Sequence, residues 1–301
     1  MIEEKFDLAF TGLAEELAKY QPTEEEEANV NLDTYERFPS LSFFHSNMPI
    51  ADKIKEQHKN IKDGDPFIRI GDMFIRPGRY IAFVARSHEY WAQTDSENRI
   101  TAVTFENPGR DRQWKQNVLS ELLIHDPQLV KVIGVSMLPT VTNFRTTKVQ
   151  GIKTLISMMR DTKEKAWLKE KPLHEALVQN GIPPFLRVAA EFSLKAQVST
   201  SGEGKGRTYH KLEAASVDGD ALLVGLKAYT EYNNKIKARE KEIADLVAKA
   251  EKSELSEKEQ ERHDALVADP VPTMDKMREN YDARLDWLKK TAAEGQAKKA
   301  G

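Results

Sequence analysis

The stretch "STSGEGKGRTYHKLEAAS", residues 199 to 216, sets Lys205, Arg207, Tyr209 and Lys211 between and just after three glycines, Gly202, Gly204 and Gly206. A strand-like run from Leu186 to Val198 precedes it. The pattern is a β-hairpin with a flexible basic tip. Glycines let a backbone approach a ligand and close on it. Cations there meet phosphate, and a tyrosine offers a ring on which a base can stack, a contact that contributes about 1–3 kcal/mol per base.

A second group has the same chemistry. Between residues 67 and 91, arginines alternate with rings: Phe67, Arg69, Phe74, Arg76, Arg79, Tyr80, Phe83, Arg86, Tyr90 and Trp91. Strand alternation puts Phe74 with Arg76 on one face, and Arg79, Ile81 and Phe83 together on one face. The phenylalanines are expected in the core. The arginines, with Tyr80 and Trp91, are expected on a surface that tracks a single strand. The expected nucleic-acid contacts are therefore Arg69, Arg76, Arg79, Tyr80, Arg86, Trp91, Lys205, Arg207, Tyr209 and Lys211.

Other chemistries find less support. His88-Glu89 and His174-Glu175 do not continue into a zinc-protease motif, and neither a phosphate loop nor a nucleophile elbow occurs. The dense glycine triplet opens no helix, so a dinucleotide turn is excluded on context. With no cysteine in the chain, a disulfide framework and a thiolate metal site are excluded. Asp63, Asp65, Glu89 and Lys195 are the one set from which a metal-dependent nuclease site could assemble. The expectation is a non-enzymatic protein without cofactor or metal.

These residues must be positioned by a larger frame. The chain has 301 residues, 40% hydrophobic and 31% charged, which is globular composition with a wet surface. Its net charge of −3 is unevenly spread: residues 1–40 hold 11 acidic against 3 basic side chains, residues 41–227 hold 21 against 27, and residues 228–301 hold 16 against 15. The basic segment contains both candidate groups. Three parts follow: an acidic N-terminal helix and linker (1–40), a β-rich core (41–220) and a charged helical C-terminal region (221–301).

Apolar spacing predicts a helix over 5–19 followed by the acidic run Glu24–Glu27. Short strands are predicted at 67–70, 73–76, 80–86, 90–94 and 100–105, a short helix over 114–123, and a buried strand over 129–138. A helix over 148–169, a short helix over 173–180 and the hairpin over 186–217 complete the core. Three helices follow: 221–252, one opened by a capping box at Ser256–Glu259, and one capped by Thr273. Neither a secretion signal nor a run of about 20 apolar residues is seen, so a soluble cytoplasmic protein is expected, in the host cytoplasm if viral.

The basic aromatic strands, "VKVIGVSMLP", a helix with a late tryptophan, and "GIPPFLRVAAEFSLKAQVSTSGEGKGRTYHKLEAAS" together resemble phage single-stranded-DNA-binding proteins built on an OB-type barrel. The similarity is one of layout and covers about residues 41–217. It implies an α+β fold with an OB-like antiparallel β-barrel core, an inserted helix and an appended helical region. It also implies strand coating in replication or recombination, alongside proteins of those processes. Many such proteins end in an acidic recruiting tail. This chain ends "QAKKAG" and carries its acidic cluster near the N-terminus. The alternative is a viral structural or assembly protein whose C-terminal helices form a homo-oligomer.

Overall fold

The structure is a computed structural model and describes residues 38–78, 80–95, 99–109, 111, 113–160, 171–198, 200, 206 and 208–300. The expected N-terminal helix, the acidic run Glu24–Glu27, Arg79, Lys205, Arg207 and the end of the 148–169 helix lie outside the described residues. Residues 38–301 form one compact unit of the α+β class.

Three strands, β1 (Ser40–Phe43), β2 (Pro66–Ile70) and β3 (Met73–Ile75), make a small antiparallel sheet in the order β1-β2-β3. Helix α1 (Ala51–Gln57) covers it, and Phe44, Ile54, Phe67 and Phe74 fill the space between. The second sheet contains β4 (Ile81–Thr94), β5 (Ile100–Thr104), β6 (Lys115–His125), β7 (Met137–Arg145), β8 (Ala190–Val198) and β9 (Thr208–Ser216), in the order β7-β6-β4-β8-β9. β4 pairs with β8 at its start and with β5 at its end.

The strands predicted separately at 80–86 and 90–94 are one strand, β4, and sequence and structure part further at two places. The segment predicted as a helix over 114–123 is strand β6, next to the long β4. Leu119 and Leu123 are buried on one of its faces, Val118, Leu122 and Ile124 on the other. A strand buried on both sides loses its two-residue period and reads like a buried helix. The segment predicted as a strand over 129–138 begins instead as α2 (Val130–Ile133), which ends at Gly134 with φ of 69°. A left-handed residue there closes the helix. Strand β7 then runs through Pro139, which is tolerated because β7 ends its sheet.

Helices seal both faces of the large sheet. On one face lie α3 (Val149–Arg160), contributing Val149, Ile152 and Leu155, and near it α4 (Lys171–Gln179) with Leu177. The other face takes α5 (Gly219–Ala250), through Leu222, Ala228, Tyr232 and Ile236. There too lies α7 (Met274–Ala300), whose Met277, Tyr281 and Leu288 pack on Tyr90, Leu119 and Val141. Helix α6 (Glu257–Val267) folds back on α5 through Arg262–Glu242 and Lys249–Glu259 pairs, and opens with the expected capping box. The helices of 221–301 therefore share the cores of the β-rich part.

Among the described residues the strands do not close into a barrel. The two sheets meet at one seam, where Val141 N donates to Pro39 O at 3.0 Å and Leu41 N to Thr142 Oγ1 at 2.9 Å. β3 and β9 stand at the outer ends of their sheets.

Candidate nucleic-acid interface

The structure describes seven of the ten predicted contact residues, and they fall into three groups. Three are built into the scaffold. Tyr80 is 4% exposed, meets the Phe192 ring edge-on at 6.3 Å, and its hydroxyl pKa is pushed well above the usual value, chiefly by burial. No base can stack on it there. Arg86 donates Nε and Nη2 to the two carboxylate oxygens of Glu121, each at 2.6 Å, and Nη1 to Asp282 of α7 at 2.8 Å. Its guanidinium lies 4.6 Å from the Tyr281 ring centre. That fork ties β4 to β6 and α7, so Arg86 is committed to the fold. Arg69 turns its Nε back on Gly71 O at 3.0 Å.

Two others belong to other strands or their ends. Arg76 is exposed at the end of β3 and pairs with Asp65 at 2.6 Å. Trp91 is half-buried near the far end of β4, opposite Thr104 and Gln116.

Tyr209 and Lys211 stand where the sequence puts them, on the β8–β9 hairpin. The register pairs Lys195 with Lys211 and Gln197 with Tyr209, so these four share the outer face. Tyr209 is 37% exposed and its hydroxyl donates to Gln197 Oε1 at 2.8 Å, which holds the ring along the strand. Lys195 has only a loose 3.8 Å pair with Glu213, both side chains well exposed. Arg79, Lys205 and Arg207 lie outside the described residues, and Gly206, beside the last two, has φ of 83°.

The hairpin's inner face is anchored. Leu212 and Phe192 are buried against α3 and the sheet. At Gly151 of α3 a β-carbon would come within 2.7 Å of Leu212 Cγ and 2.8 Å of Leu212 O, so only glycine permits this approach. At the tip end, Thr147 Oγ1 donates to His210 O at 2.8 Å. Thr147 follows Thr146, whose φ of 49° is strained for a β-branched residue.

His45, Lys148, His210 and Lys195 belong to this region, yet the pattern of alternating rings and cations selects none of them as contacts. Lys195 was legible only as a member of the nuclease set. That set is not assembled: Asp63 accepts from Ser46 N and Oγ, Asp65 from Lys62 N and Arg76, and Glu89 from Lys153 at 2.7 Å. Among the described residues no group of three or more His, Asp or Glu could hold a metal ion, and no helix is long and apolar enough to cross a membrane. No family model, no curated protein and no solved structure matches the chain.

Proposed function

We propose that the protein binds single-stranded DNA along the outer face of the β8–β9 hairpin, as a non-enzymatic strand-coating protein of phage replication or recombination. One observation carries the reading: Lys195 and Lys211 stand directly opposite each other, next to the partly exposed Tyr209. Like charges facing across a ladder destabilise it. A polyanion laid along that face turns this local cost into binding energy. Tyr209 suits a base, and a base is free to stack only when the strand is single. The described frame is two antiparallel sheets joined at the β1–β7 seam, with the hairpin at one free end. The expected partners are the strand itself and proteins of replication or recombination.

Fluorescence anisotropy with labelled single- and double-stranded oligonucleotides at two salt concentrations tests this. Single strands should bind tighter, with a log–log salt slope of roughly −0.7 per phosphate neutralised. Replacing Lys195 and Lys211 with alanine should weaken binding and make the slope shallower by about 0.7 per lost contact. Tyr209→Ala should cost about 1–3 kcal/mol at nearly constant slope. Absence of binding at low salt, or variants that bind like the parent, would end the reading.

A further inference from the structure

Four segments meet beside the inner face of the hairpin: the residues after β1, the turn before β2, the single helical turn Thr146–Lys148, and β9. Gly64 N donates to Phe44 O at 2.7 Å, which brings the turn against the end of β1. A β-carbon on Gly64 would lie 2.6 Å from the His210 ring, so that ring rests on the turn's backbone. Thr147 holds the His210 carbonyl. Lys148 Nζ stands 5.7 Å from the Phe43 ring centre and donates to the Thr147 hydroxyl at 3.3 Å. His45 completes the ring of groups, two residues beyond Phe43.

Against Lys148 and the two imidazoles the notch sets one carboxylate, Asp63, which faces His45 and is hydrogen-bonded by Ser46. Lys148 is half-buried and, among the described residues, has no carboxylate within ion-pairing distance. The neighbouring acids are already engaged: Asp63 with Ser46, and Asp65 with Arg76 and the Lys62 amide. Partial burial of an ammonium without a counter-ion is costly. A phosphate at this point would supply that counter-ion, and a hydroxyl, an ammonium and two imidazoles would supply donors.

We propose that His45, Lys148 and His210 form a phosphate-binding notch beside the tip end of the hairpin. The inference uses the single-strand reading only to name the source of the phosphate, an internal phosphodiester; the alternative source is a terminal phosphomonoester. Burial, and then the nearby Lys148, hold the His45 pKa below its ordinary value of 6.5, against an opposing pull from Asp63. Burial likewise lowers that of Lys148. A bound anion reverses the balance at His45, so binding takes up a proton and strengthens as pH falls between about 8 and 5. The charged groups on the four segments are His45, Lys62, Asp63, Asp65 with its Arg76 partner, Lys148, His210, Lys211, and Glu213 with its Lys195 partner. A phosphodiester does not titrate in this range, which keeps the trend assignable to the protein.

The test follows the histidine ring proton resonances of His45 and His210 by NMR while inorganic phosphate is added. In parallel, anisotropy is measured for one oligonucleotide sequence with a 5′-hydroxyl or a 5′-phosphate end, across that pH range. Phosphate should move both resonances in the parent and in Lys148→Arg, and not in Lys148→Met, which keeps the aliphatic stem. Oligonucleotide binding by Lys148→Met should be about tenfold weaker, the loss of one charge-assisted contact, with a flatter pH profile. A preference for the 5′-phosphate end identifies a terminal site; equal affinity identifies the backbone. Resonances unmoved by phosphate, or moved equally in a folded Lys148→Met, overturn the notch even if the oligonucleotide binds. Phosphate binding without oligonucleotide binding keeps the notch and removes the single-strand reading.

Discussion

Arg86 shows how one residue's role depends on a single irregularity. Simple alternation along β4 would set Arg86 on the face of Ala82 and Val84. The ladder with β6 pairs Val84 with Leu122 and Arg86 with Glu121, so Ala85 is an extra residue. A bulge of this kind re-aims the next side chain. Arg86 thereby meets Glu121, Asp282 and Tyr281. Glu121 is 1% exposed, and its carboxylate depends on that guanidinium. Arg86→Met should therefore lower stability by about 1–3 kcal/mol, the usual cost of leaving one buried polar group without its partner, because the Arg86 side chain itself is 40% exposed. Arg86→Met combined with Glu121→Leu should recover most of it. Urea denaturation of the two variants measures the difference, and oligonucleotide affinity per folded molecule should not change. A small loss in the single variant would mean that Glu121 is not held by Arg86.

Among the elements, the hairpin and α3 form the working pair. β8 and β9 present cations outward, and α3 fixes their inner face through the Gly151–Leu212 approach. Gly151→Ala decides whether that approach matters, because two effects oppose. Alanine in a helix gains up to about 1 kcal/mol over glycine. A β-carbon 2.8 Å from the Leu212 carbonyl oxygen meets backbone that cannot rotate away, and overpacking of this type costs about 1–3 kcal/mol. The clash should win, giving a lower melting temperature and weaker oligonucleotide binding through a displaced hairpin. A raised melting temperature would show that α3 and the hairpin adjust freely.

For the whole molecule, three histidines in separate places act in the same direction. Burial holds the pKa values of His125, His88 and His45 below the ordinary 6.5, with Lys289 adding to the effect at His88 and Lys148 at His45. The unfolded chain therefore binds more protons than the folded one as pH falls through that value. Stability from these groups is fully present above about 6.5 and is lost below it. Thermal melts in phosphate-free buffer should show a melting temperature that declines from pH 7 towards pH 5, and His125→Gln should flatten the decline. His125 is the largest candidate because it is buried, an effect that its bond with Ser136 O at 3.0 Å only partly offsets. A flat profile over that range would contradict the linkage.

Local patterns in the chain were enough for the strands at 66–75, the β8–β9 hairpin, the capping box at Ser256 and the amphipathic helices. Turn residues, caps and apolar periods are short-range and act wherever the segment lies. They also placed Tyr209 and Lys211 on a hairpin. The rest was decided by neighbours distant in sequence. β6 became a strand because β4 and β7 flank it and helices cover both its faces. Tyr80 went inside because Phe192 waits across the sheet, 112 positions later in the chain. Arg86 was claimed by Glu121 and by Asp282 of α7. The convergence of His45, Lys148 and His210 arises only when four segments fold together, since their spacing along the chain has no period. A side chain's type states what it can bind, but burial and charge compensation select what it does bind, and both are set by the tertiary structure.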